Sequence, residues 1–154
     1  MKSRNISLVD AMEDIIARCS FCSMGMVDKD TKPYVLHMNF GYEDGVLYLH
    51  SAPKGKKIDV LQNNNNVCLA FSTDHVLEHQ NADVACSYSM KYRSVLVFGK
   101  IEFIDELSEK RRILNIIMKQ YTGRFDYEYS DPAAKNVAVY KVVIEKMEGR
   151  AFGY

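Results

Sequence analysis

At 154 residues the chain suits a single domain, read here as 1–154, with about two thirds of its unfolded surface available for burial. Its 20 Lys and Arg balance 20 Asp and Glu, and no stretch is basic enough to make the broad footprint of a nucleic-acid binder. Apolar residues make up 47% of the sequence but never approach the roughly 18 in a row of a membrane span, and the N-terminal segment lacks the apolar run of a signal peptide, so a cytoplasmic protein is expected.

Taken in chain order, Leu8, Met12, Ile15, Ile16 and Cys19 recur on one face behind a weak capping box of Ser7 and Asp10, and predict an amphipathic helix over 7–19. A short strand over 22–27 and a polar turn ended by Pro33 come next. The segments 34–40 and 46–50 flank Asp44-Gly45, a dipeptide suited to a tight hairpin turn, and predict the two strands of one hairpin. From Ser51 a loop leads to a short helix carrying Ile58 and Leu61, which stops at the asparagines of 63–66. Residues 67–72 and 83–90 read as strands joined by a polar stretch over 73–82, and 93–104 reads as another strand. Asp105 or Ser108 opens a helix carrying Leu107, Ile113, Leu114, Ile117 and Met118 that ends near Gly123. A loop with Phe125, Tyr127 and Tyr129 then leads into a long strand over 137–147. Six or seven consecutive strands with three helices make an α+β, mainly β, antiparallel sheet or barrel. Such folds place ligands in barrel mouths or subunit clefts.

Four cysteines include one Cys-x-x-Cys pair, Cys19 and Cys22, and His75 with His79 is the only close pair that could complete a zinc site with them. The cysteines sit where a helix passes into a strand, whereas the usual redox motif opens a helix after a strand. Buried thiols acting as small hydrophobes are the plainer reading. No metal site is assigned, and both histidines are read as surface residues of a polar connector.

Lys54, Lys56 and Lys57 cluster around Gly55 at the start of the short helix. Free N–H groups and partial positive charge suit a helix N-terminus to phosphate. Lysines there oppose the macrodipole by about 0.3–1 kcal/mol each, a cost that an anionic ligand would offset. A solvated lysine cluster fits the spacing as well.

The succession of Pro33-Tyr34 opening a strand, the Asp44-Gly45 turn, Tyr48-Leu49-His50-Ser51-Ala52, Gly55-Lys56-Lys57, Leu61 with Asn63-Asn64, and Val67-Cys68-Leu69 resembles the FMN-binding half of the pyridoxamine-phosphate-oxidase-like proteins. A second segment, Tyr92 to Glu102, matches downstream, and the likeness runs over about 19–145. Within the superfamily the chain is most similar to the nitroimidazole-resistance branch. The resemblance implies a six-stranded split β-barrel with flanking helices, paired into a homodimer with FMN at the subunit interface; FAD is a second candidate cofactor. It places Tyr34, Val35, Leu36 and His37 along the isoalloxazine, chiefly through backbone groups, and Leu49, His50 and Ser51 near the ribityl chain and phosphate. Lys56 and Lys57 would grip the phosphate, and Arg93 with Ser94 would add a polar contact.

His50 is the candidate catalytic residue, a proton donor or substrate-side contact beside the flavin; the alternative is a strand-end histidine bonded to solvent or backbone. The implied activity is flavin-dependent reduction of a small acceptor such as a nitroimidazole or another nitroaromatic. The alternatives are a non-catalytic flavin-binding or redox-sensing protein and, third, a structural or metal-holding role for Cys19 and Cys22. Pyridoxamine-phosphate oxidation and heme binding have less support, since Arg150 is the only cation in Glu148 to Tyr154 and the heme-related extension is missing. The aromatic stretch Tyr121 to Tyr129, without an obvious partner in one chain, is a further reason to expect a homodimer.

Overall fold

Alternation of apolar and polar residues drives most of the chain into one antiparallel sheet. In the computed structural model, which describes residues 2–154, its strands are β1 (Ser3–Ile6), β2 (Cys22–Val27), β3 (Pro33–Met38), β4 (Phe40–Glu43), β5 (Val46–Ser51), β6 (Asn66–Glu78), β7 (Ser89–Ile104) and β8 (Ala138–Phe152). The helices are α1 (Val9–Ala17), α2 (Lys56–Asn63), α3 (Leu107–Thr122) and α4 (Asp131–Lys135).

The strand order β3-β2-β6-β7-β8-β5-β4 puts β3 and β4, joined by Asn39 alone, at opposite ends of the sheet. A one-residue link between the two ends forces the sheet to curl until they meet. The result is a barrel with a seam at which β3 and β4 share no ladder, the split-barrel arrangement expected of the α+β class, built from eight strands rather than six. β8 lines up with β7 along one edge, while its other edge pairs first with β5 and then, at 149–152, with β1.

Inward-facing Met24, Phe40, Leu49, Leu69, Phe71, Val97 and Tyr140 fill the barrel, with Phe40 and Phe71 in edge contact at 5.0 Å. Each large apolar side chain buried this way contributes about 1.5–3 kcal/mol. The apolar stripe of α1 (Met12, Ile15, Ile16) joins the same core. α3 packs outside β4 and β5, where Ile113, Ile116 and Ile117 meet Tyr48 and Val139. Gly41 permits that approach, since a Cβ there would lie 2.9 Å from the Ile117 nitrogen.

Several expected elements are corrected. The strand predicted over 34–40 breaks at Asn39: β3 pairs with β2, and only β4 forms the hairpin with β5. Its turn is as expected, with Asp44 and Gly45 both at positive φ (49° and 78°). β6 runs on to Glu78 through the stretch taken as a connector, held by pairing of Val76–Glu78 with Ser89–Lys91. Residues 83–90 form a 3₁₀ turn at 85–87 and only then enter β7. α1 starts after Leu8 without a side-chain cap, whereas Glu106 caps α3 by accepting from the Ser108 and Glu109 amides. β1 and α4 were not foreseen. The aromatic loop does find partners in its own chain: the Tyr121 hydroxyl accepts from the Phe40 amide at 3.0 Å, the Tyr127 backbone N–H and C=O both bond the Asn115 side-chain amide, and Tyr129 packs against the α3 cluster.

Candidate cofactor site at the barrel seam

β3 is an edge strand whose ladder partner is β2, so every second residue turns its N–H and C=O away from the sheet. Tyr34 and Leu36 point inward and are half-buried, while Val35, 58% exposed, and His37 point outward. His37 is fixed by Ser23 Oγ at 3.1 Å from its Nδ1 and by edge contact with Phe21.

α2 begins at Gly55, whose φ of 118° suits glycine. No side chain caps the helix, which leaves its first N–H groups available. Lys56 Nζ stands 4.5 Å above the Tyr34 ring. Lys57 Nζ, half-buried, lies 3.3 Å from Met38 Sδ, and burial lowers its pKa. Neither lysine forms an ion pair among the described residues, although the Asp28 pKa, lowered first by a hydrogen bond from the Lys32 amide, is lowered further by the Lys56 charge.

His50 is the last but one residue of β5, opposite Val139. Its Nδ1 is buried with no hydrogen-bond partner in the chain, and the buried Tyr140 hydroxyl, with Ser51 as a polar neighbour, meets no hydrogen-bond geometry. Burial first, and the Lys57 charge second, depress the His50 pKa, so the ring is neutral near pH 7. Burial pushes Tyr140 up to about 12. Ser51 Oγ donates to its neighbour's carbonyl, Ala52 O, at 2.9 Å. The structure thus gathers Tyr34 to His37, Leu49 to Ser51, Lys56 and Lys57 around one end of the barrel. A half-buried lysine without an ion pair, a second lysine beside it, an open backbone edge and two polar atoms without hydrogen-bond geometry are the donor set of an anionic, hydrogen-bonding ligand, and they fit a flavin phosphate.

Arg93 and Ser94 lie elsewhere in the same chain. Arg93 Nη1 is 2.6 Å from Asp74 Oδ2, and the guanidinium stacks 3.8 Å from the Tyr154 ring. Arg18 also pairs with Asp74, whose backbone carbonyl accepts from the Tyr154 hydroxyl at 2.7 Å. Hydrogen bonds from Arg18 and Arg93 hold the Asp74 carboxyl below the usual range. Ser94, one residue on, faces the opposite side of the sheet. On β8, Ala138 lies opposite Ser51 and Ala151 opposite Arg93. Those thirteen positions (151 − 138) correspond to about 43 Å of extended strand.

Tyr140 and Met38 were missed in the sequence. Tyr140 could have been flagged as a hydroxyl at an inward position of an alternating strand, which demands a partner. Met38 carries no such signal. Cys19 and Cys22 are buried, and their thiols donate to backbone carbonyls of Ile15 and Met38; burial pushes Cys22 up to about 12.

A curled antiparallel sheet, open along one seam and with unmatched cations beside it, defines a split-barrel protein of the α+β class. The chain belongs to the pyridoxamine 5'-phosphate oxidase family, whose model matches residues 9–151. Among solved structures it is 47% identical to a candidate 5-nitroimidazole antibiotic resistance protein from Bacteroides thetaiotaomicron, with a TM-score of 0.88 over 98% of this chain and 88% of that one. Its fold is shared by an FAD and heme binding protein from Mycobacterium smegmatis (16% identity, TM-score 0.84, covering 97% and 74%). An FAD-binding protein from Mesorhizobium loti shares it as well (22% identity, TM-score 0.71, covering 99% and 100%). No curated protein sequence matches the chain significantly.

Proposed function

We propose that the protein is a cytoplasmic homodimer that binds a flavin at the barrel seam, FMN first and FAD as an alternative, and uses it to reduce small acceptors such as nitroimidazoles. The observation that carries this reading is Lys57, a half-buried cation without a carboxylate partner beside an uncapped helix start. Leaving a charge there without an anion costs stability, and a phosphate would recover it. The names of the related proteins, one assigned to nitroimidazole resistance and two to FAD binding, agree with that ligand.

The dimer is supported by a stripe on the outside of the sheet. Gly25 with Cys68, Cys68 with Phe98, Ala70 with Leu96, Tyr92 with Phe152, and Leu77 with Met90 are direct strand partners and so share one face. None of them belongs to either core cluster, and Leu77 and Met90 are 59% and 45% exposed. On β8 the stripe is flanked by Lys146, Glu148 and Arg150, and an apolar strip with a charged margin suits an interaction surface. Ser94 lies on this stripe, so a second copy packed there offers a route for Ser94 to join a seam site that its own chain keeps distant.

A bound flavin supplies electron transfer that no side chain here can perform. Lys56, Lys57 and the α2 amides hold the phosphate, and the free edge of β3 supplies backbone donors and acceptors. His50, neutral and buried at Nδ1, holds a proton within the site. The test is to titrate the protein with FMN, reduce it with NADH or NADPH, and follow reoxidation by a 5-nitroimidazole. Tight binding with reoxidation well above that of free flavin supports the reading. Binding without such turnover would leave a flavin carrier or sensor, and absence of binding would overturn the assignment.

A further inference from the structure

We propose that the protein carries a second ligand site, for a small organic monoanion, in the pocket between the start of α3, the end of β7 and the turn that leads into α2. Lys110 is the key residue. It is only 8% exposed, no other charged side chain among the described residues is as buried, and nothing in the seam site uses it. Its Nζ donates to the Val137 carbonyl at 2.9 Å, and no carboxylate among the described residues pairs with it. An ammonium has three donors, and burying one against a single carbonyl is unfavourable. A cation one turn into a helix also opposes the macrodipole. One negative charge in the pocket would relieve both costs.

The pocket that Lys110 lines holds about 300 Å³, the small end of ligand-binding cavities. Ile58, Phe103, Ile104 and Val139 give it apolar walls, with Lys135 and Asp105 also lining it. Apolar walls favour an organic body over a bare inorganic ion, and Asp105 disfavours a second negative charge. The ligand class that fits is a monocarboxylate with a compact apolar or aromatic body. The pocket also touches Pro53 and Ile58, which bracket the lysine turn, and Ala138 and Val139, the strand partners of Ser51 and His50. The assignment does not rest on the flavin reading.

The test uses benzoate as the probe and protein carrying ¹³C-labelled isoleucine δ1 methyls. Benzoate is expected to shift the Ile58 and Ile104 methyls saturably, with half-saturation on the order of 1 mM or lower. Benzamide, of the same shape without the charge, should bind at least tenfold more weakly, since it forfeits a charge-assisted bond. Lys110→Met should abolish the benzoate shifts while melting no lower than the parent, because the substitution removes a buried charge and keeps the volume. The benzamide comparison needs no variant and so stands even if Lys110→Met fails to fold. No saturable shift by about 20 mM benzoate would overturn the proposal. So would benzamide or inorganic phosphate binding as tightly as benzoate, or a folded Lys110→Met protein binding as the parent does.

Discussion

At the seam end of the barrel, Lys56 and Lys57 form no ion pair among the described residues, Lys57 reaching only the Met38 sulfur, and His50 Nδ1 and the Tyr140 hydroxyl meet no hydrogen-bond geometry. At the Asp74 end, Arg18, Arg93 and Tyr154 are all tied to one aspartate, and Arg93 stacks on Tyr154. Both ends present cations and tyrosines on the same strands' reach, so residue type alone does not separate them. What separates them is whether the protein satisfies its own charges. A matched cluster gains from folding alone; an unmatched one gains only when something binds. That difference is why the proposed flavin site is set at the seam, while the Asp74 cluster, which also lines a cavity of about 620 Å³, fastens α1, β6, β7 and the C-terminal segment together.

The comparison breaks most visibly if His50 turns out to be inert. Once FMN is bound, His50→Ala should slow reoxidation of the reduced protein by a nitroimidazole by about 10²–10⁴-fold, the usual range for loss of a general acid or base. The flavin spectrum should stay that of the bound form. A rate within about threefold of the parent, below the range for such catalysis, would leave His50 as a strand-end residue and remove the chemical half of the contrast.

Next in size is the phosphate grip. Lys56→Ala combined with Lys57→Ala should weaken FMN binding at least tenfold, since each charge-assisted bond is worth about 1.5–3 kcal/mol and exposure discounts the Lys56 share. Fluorescence titration of FMN measures it. Unchanged affinity would mean that the unmatched lysines are only solvated. Asp74→Ala should do the reverse, lowering stability by about 1 kcal/mol after discounting for solvent screening of its partly exposed arginine partners. Paired urea melts and FMN titrations on both variants sharpen the contrast: the seam variant should lose affinity and the Asp74 variant stability.

Much of this was legible before the structure. The Asp44-Gly45 turn, α2 with its lysines, α3 with its Gly123 stop and the long final strand each follow from local chemistry, and the seam residues follow from the ordered motifs around them. What escaped is non-local. Ser3–Ile6 is polar and becomes a strand only because the far end of β8 offers it an edge. The continuation of β6 past Ser72 has no apolar alternation to announce it, because that arm pairs with β7 beyond the core. The break at Asn39 could not be read from a run of good strand formers, since it is barrel closure that sends β3 and β4 to opposite ends of the sheet. For the same reason Arg93 and Ser94, adjacent in sequence to residues of the right type, fall outside the seam cluster of their own chain.

The smallest predicted effect is the dependence of cofactor-free stability on pH, and there the two ends should separate into different windows. The His50 pKa is depressed in the fold by burial and then by Lys57, so below its unfolded value of about 6.5 the unfolded chain binds the extra proton and stability falls as pH drops toward the lower folded value. The Asp74 pKa is depressed by its two arginines. Its contribution is therefore complete above the unfolded value of about 3.9 and is lost as pH falls through the folded value. Urea melts of the cofactor-free protein between pH 7.5 and 3 should show both slopes, flattened by His50→Asn only in the upper window and reduced by Asp74→Asn only in the lower, where Asp28, Glu106, Glu109 and Asp126 also have lowered pKa values. An upper slope that survives His50→Asn would show that the seam histidine is not held neutral by burial. The unmatched end would then lose its electrostatic signature, while a lower slope reduced by Asp74→Asn would keep the matched end as described.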